Sequence, residues 1–353
     1  MRPPAAPVVL DGSYGEGGPT LVRTALALSA LTQQPVRIEG VRGGMPRPGL
    51  RAEDLAIARG LAKSTSAEMV GAQPGSASFS FLPTRLPRPL PERIEPPEDE
   101  EGPGTLTAPV VLTALLPVAA RAGQMGSVSV VGETHGHNVL GYDAFAGTTV
   151  PALRRFGLYA TTELIEAGFG RYGRGLIRAE VEPSALQGVV WDSRGKVLDF
   201  RAVVTCAEVG EDVGRRGVAH LQRLARSVGM PLEVEEARVR SRGPGASVTV
   251  WAEYERGFGS ATALGARGVR IESVAQSAFE QFLQWFRSDA TVDQHLADQL
   301  LVTAAIAETD VSFRVPVLTE RLLTAVWVVK QFLPIYVTVR GAPGEPGTIS
   351  IRH

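Results

Sequence analysis

The chain has 353 residues and a formal net charge of −1, so no global field draws it to nucleic acid; an RNA partner would need a local basic patch. A hydrophobic content of 44% beside 21% charged residues excludes a disordered chain and suits one large domain or two of ordinary size. The single cysteine excludes an internal disulfide, and no signal-peptide core or membrane-length apolar run is present, so the expectation is a cytoplasmic protein without membrane contact.

Val8 to Leu10 read as a short strand. Gly12, Gly15, Gly17 and Gly18 follow, and Pro19 opens a helix that continues through Leu21 to Leu31. A glycine loop entering a helix is either a tight turn or an anion site made of backbone N–H groups and the positive dipole end. It fits neither G-x-G-x-x-G nor G-x-x-x-x-G-K-[ST]. After a strand at Pro35 to Val41, Arg42, Arg47 and Arg51 surround Gly43, Gly44, Pro48 and Gly49. Guanidinium forks at such junctions suit phosphates, or else surface ion pairs.

Ala52 to Ala62 reads as a helix, and Ser76 to Phe81 as an alternating, half-buried strand. Pro83 to Gly104, with Glu98 to Glu101 at its most acidic, reads as a solvated surface connection. Next come a glycine-initiated helix (Leu106 to Ala120), a strand (Ser127 to Gly132) and a loop (Glu133 to Asn138). His135 and His137 have a metal-site spacing there, but no third or fourth ligand accompanies them. A helix near Val150 to Phe156 precedes strands at Leu158 to Leu164 and Gly175 to Glu182.

Residues 185–272 break this rhythm. Strands at Val197 to Ala207, Glu233 to Val239 and Ser247 to Tyr254, with a helix from Val213 to Val228, suggest a compact β-α-β-β insert. The arginines of that helix (Arg215, Arg216, Arg223, Arg226) read as a solvated face or, less simply, as RNA contacts. Cys206, inside an apolar run, reads as a buried small hydrophobe.

The remainder reads as helices at Val274 to Phe286, His295 to Ala307 and Leu318 to Phe332, and strands at Val311 to Val317, Pro334 to Arg340 and Thr348 to Ile351. A helix–strand–helix–strand unit of about 60 to 75 residues thus recurs three times. The expected fold is α/β: three tandem helix-backed sheet modules in a large domain (1–184 and 273–353), with a small inserted domain at 185–272. Asp293 can cap the helix that follows it, and His295 and Asp298, three apart, are expected on one helix face. A ring and a carboxylate there suit nucleobase stacking with a polar or metal contact.

Residues 10–23 (LDGSYGEGGPTLVR) and 42–51 (RGGMPRPGLR) together resemble the amino-terminal signature of the RNA 3'-terminal phosphate cyclase family, L-D-G-x-x-G-E-G-G-G-Q-x-x-R and R-x-G-R-x-x-P-G-L. Residues 293–299 (DQHLADQ) and 321–334 extend the resemblance over essentially the whole chain. It implies ATP, Mg²⁺ or Mn²⁺, and an RNA 3' end as ligands. Glu16, Arg23, Arg42, His295, Asp298 and Gln299 would then hold the nucleotide, Arg47 and Arg51 the substrate phosphate, and Glu16 and Asp298 the metal. Met45 stands where the family usually has another arginine, and Pro19-Thr20 replace a Gly-Gln pair.

The family's last helix opens with H-L-L-T-N, whose histidine attacks ATP. Here Leu322-Leu-Thr324 and Gln331-Phe-Leu-Pro334 align, and the histidine's place falls on Arg321. A protonated guanidinium has no lone pair to offer phosphorus, whereas neutral imidazole does. Three functions follow from the resemblance. One is an ATP-dependent cyclase converting an RNA 3'-phosphate to a 2',3'-cyclic phosphate, in which His295 would be a relocated nucleophile only if its ring moved from stacking on adenine to in-line attack. Another is a related enzyme using direct, non-covalent transfer, with Arg321 stabilising phosphate charge. The third is a catalytically silent paralogue that binds RNA ends, a nucleotide or a protein partner.

Overall fold

The computed structural model describes residues 6–96, 106–170 and 173–353; the acidic run Glu98 to Glu101 and the glycine-rich start before Leu106 lie outside them. The first module comprises β1 (Val8–Asp11), α1 (Pro19–Thr32), β2 (Val36–Glu39), α2 (Ala52–Thr65), β3 (Glu68–Val70) and β4 (Ser78–Leu82). Val36 and Ile38 alternate with Arg37 and Glu39, and Phe79 and Phe81 with Ser78 and Ser80, so each strand buries one face. β1 and β2 are parallel, β4 is antiparallel to β2, and β3 closes the edge: order β1-β2-β4-β3.

The second module repeats this plan. It contains β5 (Arg93–Ile94), α3 (Ala108–Ala120), β6 (Gly126–Gly132), a helix that runs from α4 (Tyr142–Ala144) through a π-turn (Phe145–Thr149) into α5 (Val150–Arg155), β7 (Ala160–Glu166) and β8 (Gly175–Val181). Its sheet order is β5-β6-β8-β7.

The third module begins at β9 (Val190–Trp191) and is interrupted by the insert: β10 (Val197–Ala207), α6 (Glu211–Ser227), β11 (Glu233–Arg238), β12 (Gly245–Tyr254), β13 (Gly257–Leu264) and α7 (Ile271–Phe286). It resumes with α8 (Leu296–Ala305), β14 (Val311–Val315), α9 (Glu320–Phe332), β15 (Tyr336–Arg340) and β16 (Gly347–Arg352). Its order, β15-β16-β14-β9, is the same topology read from the other edge. The threefold recurrence is therefore a β-α-β-α-β-β unit.

The first helices of the modules, α1, α3 and α8, pack on one another in the middle. Each second helix packs on a neighbour's first helix: α2 on α3, α5 on α8 and α9 on α1. Apart from Arg23 and a few small hydroxyl residues, helix α1 is apolar because it is surrounded, with Leu21, Val22, Ala25, Leu26 and Leu28 fully buried.

Several expectations change. β3, β5 and β9 span only two or three residues, too short to show an alternation. β9 lies within 185–272 yet pairs with β14 of the third module. The insert has a further strand, β13, and α7 packs against α6, β12 and β13 rather than with the third module. The apolar face of α7 (Val274, Ala278, Phe282) lies in a core separate from that of the modules, shared with Phe200, Val204, Leu221 and Val250. An amphipathic face records that a helix has a partner sheet without saying which. Cys206 is buried in that core as expected. Among the described residues no helix is long and apolar enough to cross a membrane.

Because the insert has its own core, a cavity there should act locally. Phe282→Ala should cost about 3–5 kcal/mol. Hydrogen exchange should then show the lost protection concentrated in β10 to β13, α6 and α7 rather than in α1, α3 and α8.

Candidate functional site

The β1–α1 loop turns where Asp11 accepts hydrogen bonds from the Ser13 backbone N–H (2.9 Å) and hydroxyl (2.6 Å). The Gly17 N–H then donates to the Tyr14 carbonyl at 2.9 Å. Gly15 has φ +61°, and a Cβ on it would lie 2.3 Å from Thr324 Oγ1, so glycine is needed for conformation and for space. The Glu16 N–H donates to that hydroxyl (3.0 Å), which itself donates to the Glu320 carbonyl (2.7 Å). Thr319 caps α9 by accepting from the Leu322 N–H at 3.1 Å. The loop is thereby fastened to the first turns of α9, the segment that carries Arg321.

Arg321 Nε lies 3.7 Å from Glu16 Oε1. The other oxygen, Glu16 Oε2, is buried with no hydrogen-bond partner among the described residues. The 42–45 turn packs underneath: the Gly44 N–H donates to the Gly17 carbonyl (3.1 Å), and a Cβ on Gly44 would lie 2.4 Å from the Glu16 carbonyl oxygen. Arg42 adopts φ +54°, an unfavourable conformation for a residue with a side chain. Its guanidinium is held by Asp54 at 3.1 Å, and Asp54 also accepts the Arg51 N–H at 2.9 Å. Arg51 is thus the N-cap residue of α2, while Arg47 is exposed.

On the other side, Arg23 of α1 donates to Asp298 of α8 at 2.7 Å, a pair across the seam between the first and third modules. Asp298 Oδ1 is buried and unpartnered among the described residues. Asp293 caps α8 as expected: its Oδ1 accepts from the N–H groups of His295 and Leu296, both at 2.8 Å. His295 stands at the boundary of α8 with helical backbone angles (φ −92°, ψ −34°). Asp298 is buried while His295 is exposed, its Nε2 3.2 Å from the Gln294 amide. Gln299 faces the second module, where its Oε1 accepts from the Thr149 hydroxyl at 2.6 Å.

The structure therefore brings Glu16 and Arg321 together directly, and pairs Arg23 with Asp298 and Arg42 with Asp54. It leaves His295 and Arg47 in solvent and gives Gln299 a contact between modules. His135 is buried, stacked on Phe169 (4.7 Å), and occupied on both nitrogens by Thr134 (2.8 Å) and Asp143 (3.2 Å), so the 135/137 spacing does not make a metal site. Among the described residues no group of three or more His, Cys, Asp or Glu is placed to hold a metal ion.

Three carboxylates escaped the sequence reading. Burial pushes the pKa of Glu53 up, against the Thr107 N–H bonded to it (3.0 Å) and the fields of Arg23 and Arg42. Burial likewise raises Asp54, opposed by Arg42 and the Arg51 N–H. Burial lifts Glu133 to about 7, opposed by the Gly170 N–H and His135 and assisted by Glu53. Asp54 had a visible signal, a carboxylate three residues after a helix start, as in a capping box. Glu53 and Glu133 had none. Chemically, the seam offers guanidinium groups for phosphate oxygens and two unpartnered carboxylate oxygens for a cation or a hydrogen-bond donor.

Comparison with known proteins adds a family. The model described as RTC, RNA 3'-terminal phosphate cyclase, matches residues 14–339. The RNA 3'-terminal phosphate cyclase of Thermococcus onnurineus is 35% identical, covering 98% of this chain and 98% of that protein. That of Thermococcus gammatolerans is 35% identical (98% and 97% covered), and that of Methylococcus capsulatus 33% (97% and 95%). A solved structure, the enolpyruvyl transferase NikO from Streptomyces tendae, aligns at 12% identity with a TM-score of 0.38 over 97% of this chain. The chain spans about half of that structure, 47% of its length.

The Glu133 carboxyl gives a pH dependence of known sign. Its folded pKa of about 7 exceeds the ordinary 4.5, so the folded state holds the extra proton and stability falls as pH rises from 4.5 through 7. Glu133→Gln removes that loss. The variant's gain in unfolding free energy over the wild type should be absent near pH 4.5 and reach about 1–3 kcal/mol above pH 7. Denaturant unfolding at several pH values checks it.

Proposed function

From the premise that this chain belongs to the RNA 3'-terminal phosphate cyclase family, we propose that it uses ATP to convert an RNA 3'-phosphate to a 2',3'-cyclic phosphate at the Glu16–Arg321 seam. The observation that carries the reading is the glycine loop docked on α9, with Glu16, Arg321 and the Arg23–Asp298 pair around the same junction. ATP supplies the activating AMP group. An oxygen of the RNA 3'-phosphate attacks the α-phosphorus and pyrophosphate leaves. The neighbouring 2'-OH then attacks the 3'-phosphorus, gives up its proton, and AMP departs.

Arg321 sets the route. Its guanidinium stays protonated and cannot carry AMP, so the RNA phosphate itself attacks, with Arg321 countering the charge that develops on the transferred phosphoryl group. Arg23, Arg42, Arg47 and Arg51 form the basic lining, the first two held by carboxylates and Arg47 free to reach solvent-borne phosphate. Glu16 Oε2 and Asp298 Oδ1, buried without partners among the described residues, suit Mg²⁺ or Mn²⁺. Such an ion keeps most of its ligands from phosphate and water, which accommodates the absence of a larger carboxylate cluster. His295 would serve as an outer contact to the nucleotide, while the Gln299 side chain is taken by Thr149 at the neighbouring junction.

A second reading draws on the same residue. An arginine at the nucleophile position also suits a protein that binds RNA ends, a nucleotide or a protein partner and leaves them unchanged.

Incubation with ATP labelled on the α-phosphate, Mg²⁺ and a 3'-phosphorylated RNA tests both. The expected result is an RNA end that becomes phosphatase-resistant only with ATP, and no acid-labile label on the protein. Arg321→His should gain such a label. A wild-type label that disappears in His295→Ala would replace direct transfer by a relocated histidine nucleophile. RNA that binds and keeps its phosphatase-sensitive end would establish the second reading.

A further inference from the structure

Tyr14 sits at the outer bend of the glycine loop. Its N–H donates to the Asp11 carbonyl (3.1 Å) and its carbonyl accepts from Gly17 (2.9 Å), so its backbone is fixed on both sides. Its ring lies parallel to the Trp327 indole, with centroids 4.1 Å apart and planes within 17°. Trp327 is partly buried against the main core, whereas Tyr14 remains 45% exposed. Arg321, Thr324 and Trp327 follow one another at i, i+3 and i+6 along α9, so the indole stands about 9 Å along the axis from the phosphate-facing arginine.

We propose that the Tyr14–Trp327 stack is a platform for the nucleobase at the 3' end of a single-stranded RNA whose phosphate meets Arg321. The inference rests on the function proposed above and names how that site would hold its substrate. One face of the tyrosine ring is occupied by indole, and the exposed ring offers a further aromatic surface. Bases of unpaired RNA stack on such surfaces with little regard to sequence. The position also suits the charge: the chain has a net charge of −1, while Tyr14 lies in the same loop as Glu16, which Arg321 approaches at 3.7 Å. Packing Trp327 beneath Tyr14 pre-orders the pair, so little entropy is lost when a base adds to the stack.

The test measures binding of two 3'-phosphorylated oligoribonucleotides, one with a normal terminal residue and one abasic there. They are titrated by fluorescence anisotropy into the wild type, Tyr14→Ala and Tyr14→Phe. ATP affinity is measured on the same three proteins. The wild type should prefer the base-bearing end by roughly 5- to 150-fold. Tyr14→Phe should keep that preference, Tyr14→Ala should lose most of it, and ATP affinity should stay constant across the set.

A wild type indifferent to the terminal base overturns the platform without recourse to any variant. So does a Tyr14→Ala protein that keeps the preference. A Tyr14→Ala protein that loses ATP affinity instead of RNA preference assigns the stack to adenine and also overturns it. Failure of the wild type to bind either oligonucleotide has a different signature: it removes the proposed function, and the platform with it.

Discussion

The hydroxyl of Thr324 is the point on which the site depends. It takes one hydrogen bond from the Glu16 N–H and gives one to the Glu320 carbonyl, so both of its hydrogen-bonding roles are used between a loop of the first module and a helix of the third. Gly15 lies against it with no room for a side chain. Once that contact is made, the Glu16 carboxylate has its orientation, and Arg321 faces it from α9. The Arg23–Asp298 pair crosses the same seam deeper in the molecule, between α1 and α8. The constellation belongs to neither module alone and exists only when the two are packed, which ties its geometry to the tertiary fold.

The seam's charges fall into two groups. Arg23 and Arg42 are committed to buried carboxylates at 2.7 and 3.1 Å. Removing one partner of such a pair leaves an uncompensated charge, so these two arginines are fixed in place as much as they are offered to a ligand. Among the described residues of the seam, Arg47 is exposed and Arg321 has only a loose 3.7 Å approach to Glu16, so both are held less tightly than Arg23 and Arg42. Where a nucleophilic imidazole would give the site a covalent step, guanidinium gives it a permanent planar fork. A guanidinium complements phosphate charge and offers no nucleophile.

What the sequence disclosed follows from the reach of each signal. Alternation in Ser78–Leu82 and continuous apolarity in α1 are local and strong, and both elements appeared where they were expected. β5 and β9 are two residues each and acquire their identity only from the strands beside them. α7 showed its apolar face plainly, but its allegiance to the inserted sheet is a tertiary choice. The same limit applies at the site. Asp293 signalled its cap, but nothing local signalled that His295 would be exposed while Asp298 is buried. The arginines were legible as a basic cluster, whereas Glu53 and Glu133 become notable only through burial and mutual proximity.

The threefold construction explains why one seam differs from the others. A polar contact crosses each junction: the Thr107 N–H to Glu53 between the second and first modules, Thr149 to Gln299 between the second and third, and Glu16 to Thr324 between the first and third. All three join a first helix, or the loop entering it, to a second-helix segment of another module. The scaffold thus provides the same kind of junction three times over. Among the described residues only the last combines a crowded glycine loop, a second basic turn packed beneath it and an arginine at the start of the opposing helix. Gln299 illustrates the separation: it sits one residue beyond Asp298, yet it serves the neighbouring junction. Repetition of the fold therefore supplies the frame, and a few residues in two loops and one helix start turn one of three equivalent seams into a candidate phosphate site.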